Sequence, residues 1–233
     1  MQKTFSIAVF RTLLTCGLYV LTLALSSCAT SAVADNLDRR SLTILGITPG
    51  ESTFNDVTRL YGAASQWHAG DAAGSETKIC FRLSSGKTEA FVVFASNAEM
   101  AGAPHYVVTA VRLYSVTESF PDASRCGSRP KGPHSFSTKS GISLGAPASK
   151  IEKILGKPHR HEKDRLVWTA CSKVPLPETD PNYGYWSKRE GCFEDEHGGW
   201  KGLPYYNACT GVSIGLKNAK VTYLEVYGTD SIC

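Results

Sequence analysis

The chain has no His-Glu-x-x-His and no phosphate loop. The local signatures of zinc peptidases and nucleotide-binding enzymes are therefore missing. It also has no CxxC, which leaves a thioredoxin-like redox site and a zinc ribbon without their spacing. Neither sign of charge dominates, since 25 Lys and Arg face 21 Asp and Glu. Without Lys3 and Arg11 the balance is 23 to 21, or +2. Nucleic acid demands a strongly basic, clustered face, and it is set aside as a partner.

Charge is scarcest at the N-terminus. Lys3 and Arg11 are followed by no charged residue before Asp35, and Leu13, Leu14, Leu18, Val20, Leu21, Leu23 and Leu25 lie between. A positive start and a short apolar core make a secretory signal. Two cleavage sites compete. Leu25-Ser26-Ser27-Cys28 resembles the lipobox of bacterial lipoproteins, giving a signal over residues 1–28 with Cys28 lipidated as the first mature residue. Ala32-Val33-Ala34 is an ordinary small-x-small site, with cleavage after Ala34 and a soluble periplasmic or secreted product. Residues 12–34 are also 23 uncharged residues, long enough for an uncleaved anchor, although Ser26–Ser31 is too small and polar for a good span.

Outside the leader and Cys28 stand six cysteines: Cys80, Cys126, Cys171, Cys192, Cys209 and Cys233. An exported chain with an even number reads as disulfide-bonded, and connectivity is not fixed by sequence. A Cys171–Cys209 bond would staple the stretch between them, and Cys192 would then reach Cys126 or Cys233.

A pattern occurs twice. Val57-Thr58-Arg59-Leu60-Tyr61-Gly62 and Ile151-Glu152-Lys153-Ile154-Leu155-Gly156 each set apolar residues at i, i+3 and i+4 before a glycine. This is the buried stripe of a short helix closed at C′. Thr48–Glu51 or Ser52-Thr53 opens the first helix, and Ser149 with Glu152 supplies a capping box for the second. Three strand-like runs follow each helix: Lys78–Leu83, Ala90–Phe94 and Val107–Tyr114, then Leu166–Cys171, Gly211–Leu216 and Val221–Tyr227. The expected fold is α+β, in two tandem copies of a short helix packed on a small antiparallel sheet of three or four strands. The first copy covers 36–125, a linker 126–139, and the second copy 140–233 with an insertion at 172–208.

The run from Gly145 to Pro158 resembles the helix and Leu-Gly-x-Pro turn of BamE/SmpA-like outer-membrane lipoproteins, and the duplicated arrangement resembles the tandem fold of the β-lactamase inhibitory proteins. The first copy departs from it, with Ala63-Ala64 where Lys157-Pro158 stand. The resemblance implies a non-catalytic, lipid-anchored protein without cofactor that binds envelope proteins, in assembly or as an inhibitor. Ala29 after Cys28 implies sorting to the outer membrane, facing the periplasm.

Two polar clusters compete with that reading. His159 and His161 with Glu162 and Asp164, and Glu194-Asp195-Glu196-His197 in the insertion, would serve an envelope hydrolase or a metal-binding protein. Each also reads as a solvated loop. The insertion's aromatics, Tyr183, Tyr185, Trp186, Phe193, Trp200, Tyr205 and Tyr206, are the candidate partner-binding residues, because Tyr and Trp bury area at low entropic cost.

Overall fold

The computed structural model describes residues 37–70, 75–97, 106–128, 135–162, 164–175, 179 and 205–232, with the backbone alone for 205–207 and 230–232. The described residues belong to one compact unit. Helix α1 spans Phe54–Tyr61 and α2 spans Ala148–Leu155. The strands are β1 (Gln66–Ala69), β2 (Glu76–Ser85), β3 (Thr88–Ser96), β4 (Ala110–Ser115), β5 (Gly127–Ser128), β6 (Arg160–Glu162), β7 (Arg165–Pro175), β8 (Tyr205–Lys217) and β9 (Lys220–Ile232). Among the described residues no helix is long and apolar enough to cross a membrane.

Both helices form where the apolar stripes fall. Thr53 caps α1 in a reciprocal box with Asp56, and Phe54, Val57 and Tyr61 turn inward. Gly62 and Gly156 end the helices at φ 80° and 75°, where a side chain would be strained. The expected Ser149–Glu152 box is not what starts α2. Its N-cap is Pro147, whose side chain has no donor or acceptor, and the Ala148 N–H goes to the Ala219 carbonyl in the β8–β9 turn (3.2 Å). The sheet therefore supplies the partner that a capping side chain would have given.

The fold is not two tandem helix-plus-small-sheet copies. Among the described residues all nine strands join one sheet, in the order β1-β2-β3-β4-β9-β8-β7-β6, with β5 beside β2. The seam is the antiparallel β4–β9 ladder, which sets Val111 against Val226 and Leu113 against Leu224. Two separate sheets would each have left one of these apolar strands as an open edge, and pairing them removes both edges.

Alternation then divides the sheet into two faces. One carries Phe81, Phe94, Val111, Leu224, Val212 and Trp168, all buried, and both helices pack on it. Tyr61 of α1 lies 5.6 Å from the Phe81 and Phe94 rings, and the Trp168 indole N–H donates to the Gly156 carbonyl after α2 (3.0 Å). The face away from the helices is built quite differently.

β7, β8 and β9 also run on past the rest of the sheet at one end. There Cys171 pairs with Cys209, and the ladder continues to Pro175↔Tyr205 and Tyr206↔Ile232. The expected loop 172–208 is thus strand at 172–175 and 205–208.

Candidate functional site

Three rows of residues cross the face away from the helices, one residue from each of β2, β3, β4, β9, β8 and β7. The first is Arg82, Phe91, Tyr114, Tyr223, Gly215, Arg165. The second runs Cys80, Val93, Arg112, Glu225, Ser213, Val167, and the third Lys78, Ala95, Ala110, Tyr227, Gly211, Thr169. Strands with an apolar face usually turn a plain polar face to water. Here the second face is aromatic and charged.

The first row is a ladder of rings with a guanidinium at each end. Arg82 lies 6.0 Å from the Phe91 ring centre, Tyr114 4.9 Å from Tyr223, and Arg165 4.3 Å from Tyr223. Phe120, from the chain after β4, stacks on Tyr114 at 4.6 Å and lies 5.6 Å from Phe91. Such cation–π and ring contacts are worth about 0.5–1.5 kcal/mol each. Arg82 also pairs with Glu89 (2.6 Å), whereas Arg165 is exposed and meets no carboxylate within ion-pair distance among the described residues.

Glycine lets the rings lie flat. A Cβ on Gly211 would collide with the Tyr227 ring, and one on Gly215 would stand 3.0 Å from Tyr223 Cβ. Tyr227 reaches across β8 to hydrogen-bond Thr169 on β7. The two tyrosines thus pave the β9–β8–β7 part of the face.

The second row holds a charge cluster. Arg112 donates from Nε to Glu225 (2.7 Å) and from both terminal nitrogens to Glu76 (2.8 and 2.6 Å), while Lys78 lies 3.3 Å from Glu76 and the Tyr223 hydroxyl donates to Glu225 (2.8 Å). Burial pushes the Glu76 carboxyl up, but the Arg112 hydrogen bonds and charge, with Lys78, outweigh it and hold Glu76 below the usual carboxylate range. Burial, with the Glu225 charge beside it, pushes Tyr223 well above the phenol range and keeps it a neutral donor.

A strap of residues 116–128 covers the other side of this face. Cys126 is bonded to Cys80, and Gly127–Ser128 pair in parallel with Phe81–Arg82. Beneath it Trp67, Cys80 and Val93 are buried, with Phe91, Tyr114 and Phe120 packed against them. Arg125 lies 5.7 Å from the Trp67 ring.

The second disulfide, Cys171–Cys209, is the staple expected at the base of the insertion. Cys192 cannot bond Cys126 as one alternative had it, because Cys126 is taken by Cys80. These two bonds place the fold in an oxidising, extracytoplasmic compartment.

The histidine cluster does not assemble as a metal site. His159 Nδ1 accepts the Thr169 amide N–H (3.0 Å), and His161 and Glu162 lie exposed on the edge strand β6. No group of three His, Cys, Asp or Glu side chains able to hold a metal is found among the described residues. Cys28, Cys192, Cys233, Tyr183, Tyr185, Trp186, Phe193, Trp200 and Glu194–His197 lie outside the described residues, as do the side chains of Tyr205 and Tyr206. An open cleft of about 380 Å³ between residues 43–46 and 135–139 is lined by hydroxyls together with Leu45, and two of the hydroxyls, on Thr43 and Tyr61, already bond Thr48 and the Leu45 carbonyl.

Apart from Cys80, the residues that compose this face belong to none of the motifs that the sequence offers as candidate sites. Their signal was present: Arg112 and Tyr114, like Tyr223, Glu225 and Tyr227, alternate with the apolar residues of their strands. Glycines inside a β-type run mark close approach of another group, as Gly211 and Gly215 do. No known protein family, curated protein or solved structure matches the chain.

Proposed function

We propose that this chain is an exported envelope protein, held at the outer membrane by lipid on Cys28, that acts as a non-catalytic protein-binding module through the face away from its helices. The carrying observation is Arg165. Its guanidinium is exposed, already oriented over the Tyr223 ring, and without an ion-pair partner among the described residues. Arg and Tyr are enriched where binding energy concentrates, and a pre-oriented side chain loses less freedom on binding. The partner that fits is a protein segment presenting a carboxylate to Arg165 and an apolar group to the half-buried Tyr227 ring. Similarity to BamE/SmpA-like lipoproteins, limited to one helix and its glycine turn, is consistent with a role in envelope assembly or inhibition.

The test is crosslinked co-purification from the native envelope, with wild type, Arg165→Glu and the Tyr185→Ala/Trp186→Ala pair compared. The expected result is a defined partner lost in Arg165→Glu while the urea midpoint stays unchanged. Recovery of the same partner in equal yield from Arg165→Glu would refute this surface. Loss of binding in step with stability would assign the residue to packing alone.

A further inference from the structure

We infer that the projecting β7–β8–β9 arm is the lipid-facing end of the molecule, resting on the headgroup layer of the bilayer that holds the Cys28 lipid. This rests on the lipid-anchored reading above. The chain enters the described fold at Leu37, which is buried and whose carbonyl accepts the Thr210 hydroxyl. Two residues on, Arg39 donates to the Thr229 carbonyl (3.3 Å). Thr210 and Thr229 stand at the base of the arm, since Thr210 pairs with Gly228 and Cys209 with Thr229. The tether therefore leaves the fold at the end where the arm begins.

Chain length bounds the rest. Leu37 lies nine residues after Cys28. Fully extended they reach about 30 Å. From Thr210 the arm runs on for five residues to Tyr205. At the rise of a strand this is about 17 Å. The tether is therefore longer than the arm, long enough to let the arm meet the headgroups around the lipid.

The arm's own character agrees. Cys171–Pro175 are all exposed, so these residues add nothing to the core, and Val174 is 45% exposed. The Cys171–Cys209 bond braces the strands across the arm. At the far end of the same sheet stand the Gly86-Lys87 and Asn218-Ala219 turns.

The test reconstitutes the processed, full-length protein in phosphatidylethanolamine–phosphatidylglycerol vesicles containing a lipid photo-crosslinker at headgroup depth. Mass spectrometry reads both the N-terminal peptide and the sites of adducts. The expected result is lipid on Cys28 with several-fold more adduct on Ser172–Pro175 and Tyr205–Cys209 than on Gly86-Lys87 and Asn218-Ala219. A lipidated Cys28 with adducts on those turns, or none on the arm, overturns the orientation alone. A mature N-terminus without lipid overturns the anchored reading and the orientation with it.

Discussion

Arg112 on β4 and Glu225 directly opposite on β9 are joined by a 2.7 Å hydrogen bond across the seam of the sheet. The guanidinium also grips Glu76 at the start of β2 with two further bonds, so one residue ties three strands together. Its side chain is 17% exposed. Without Arg112, Glu225 loses its cation and Glu76 keeps Lys78 alone, and Arg112→Met is expected to cost about 2–4 kcal/mol. Urea denaturation of the variant measures it.

The same cluster predicts a pH dependence. Glu76 is held below its ordinary value of 4.5. A depressed carboxyl stabilises the fold above its unfolded value, and that contribution is lost as pH falls through the folded one. The stability difference between wild type and Glu76→Gln should be constant near neutrality and shrink below about pH 4.5. Urea midpoints at a series of acid pH values would show it, and parallel curves would exclude Glu76 as the titrating group.

How much of this was legible in the sequence depends on the range of the interaction. The runs Lys78–Leu83, Ala90–Phe94, Val107–Tyr114, Leu166–Cys171, Gly211–Leu216 and Val221–Tyr227 fall largely in β2, β3, β4, β7, β8 and β9, and the two stripes ending at Gly62 and Gly156 are α1 and α2. Period and turn chemistry are local, so composition displays them. Strand neighbours are not local. The likeness of Val108–Tyr114 to Val221–Tyr227 suggests two equivalent ribbons, whereas these strands lie side by side in one. Matching alternation is also what a well-filled antiparallel pair requires, and no periodicity separates the two meanings. β1, β5 and β6, with four, two and three residues, were too short to announce themselves.

Gly228 sits where the backbone of residues 49–50 crosses β9. A Cβ there would run into the Pro49 carbonyl, and the Gly228 N–H already bonds Thr109 (2.9 Å). Backbone cannot swing aside as a flexible side chain can. Gly228→Ala is therefore expected to lift the segment that leads into α1 and to cost about 1–3 kcal/mol. Thermal unfolding gives the cost, and hydrogen exchange at the Gly50 amide, which bonds the Val108 carbonyl (2.8 Å), locates it.

Burial pushes the Tyr61 phenol up to about 12 from an ordinary 10.0. A raised value means its contribution is complete below pH 10 and is lost as the pH climbs toward 12. Tyr61→Phe should remove one late phenolate from the ultraviolet titration and soften the alkaline loss of stability. At neutral pH it gives up the hydrogen bond to the Leu45 carbonyl, worth about 1 kcal/mol.

The strap offers the sharpest contrast between the two disulfides. Cys80–Cys126 bridges 46 positions and holds residues 116–128 over Trp67, which is 8% exposed. β5 contributes only two paired residues, so little else fixes that end of the strap. Breaking the bond in Cys126→Ser is expected to cost about 2–4 kcal/mol. It should also open Trp67 to acrylamide, with a quenching increase that disappears in a Trp67→Phe background. Cys209→Ser breaks the other bond, in an arm remote from that ring, and should leave the Trp67 component unchanged. Equal quenching in both cysteine variants would mean that the stacking of Phe120 on Tyr114, not the covalent bond, keeps the strap in place.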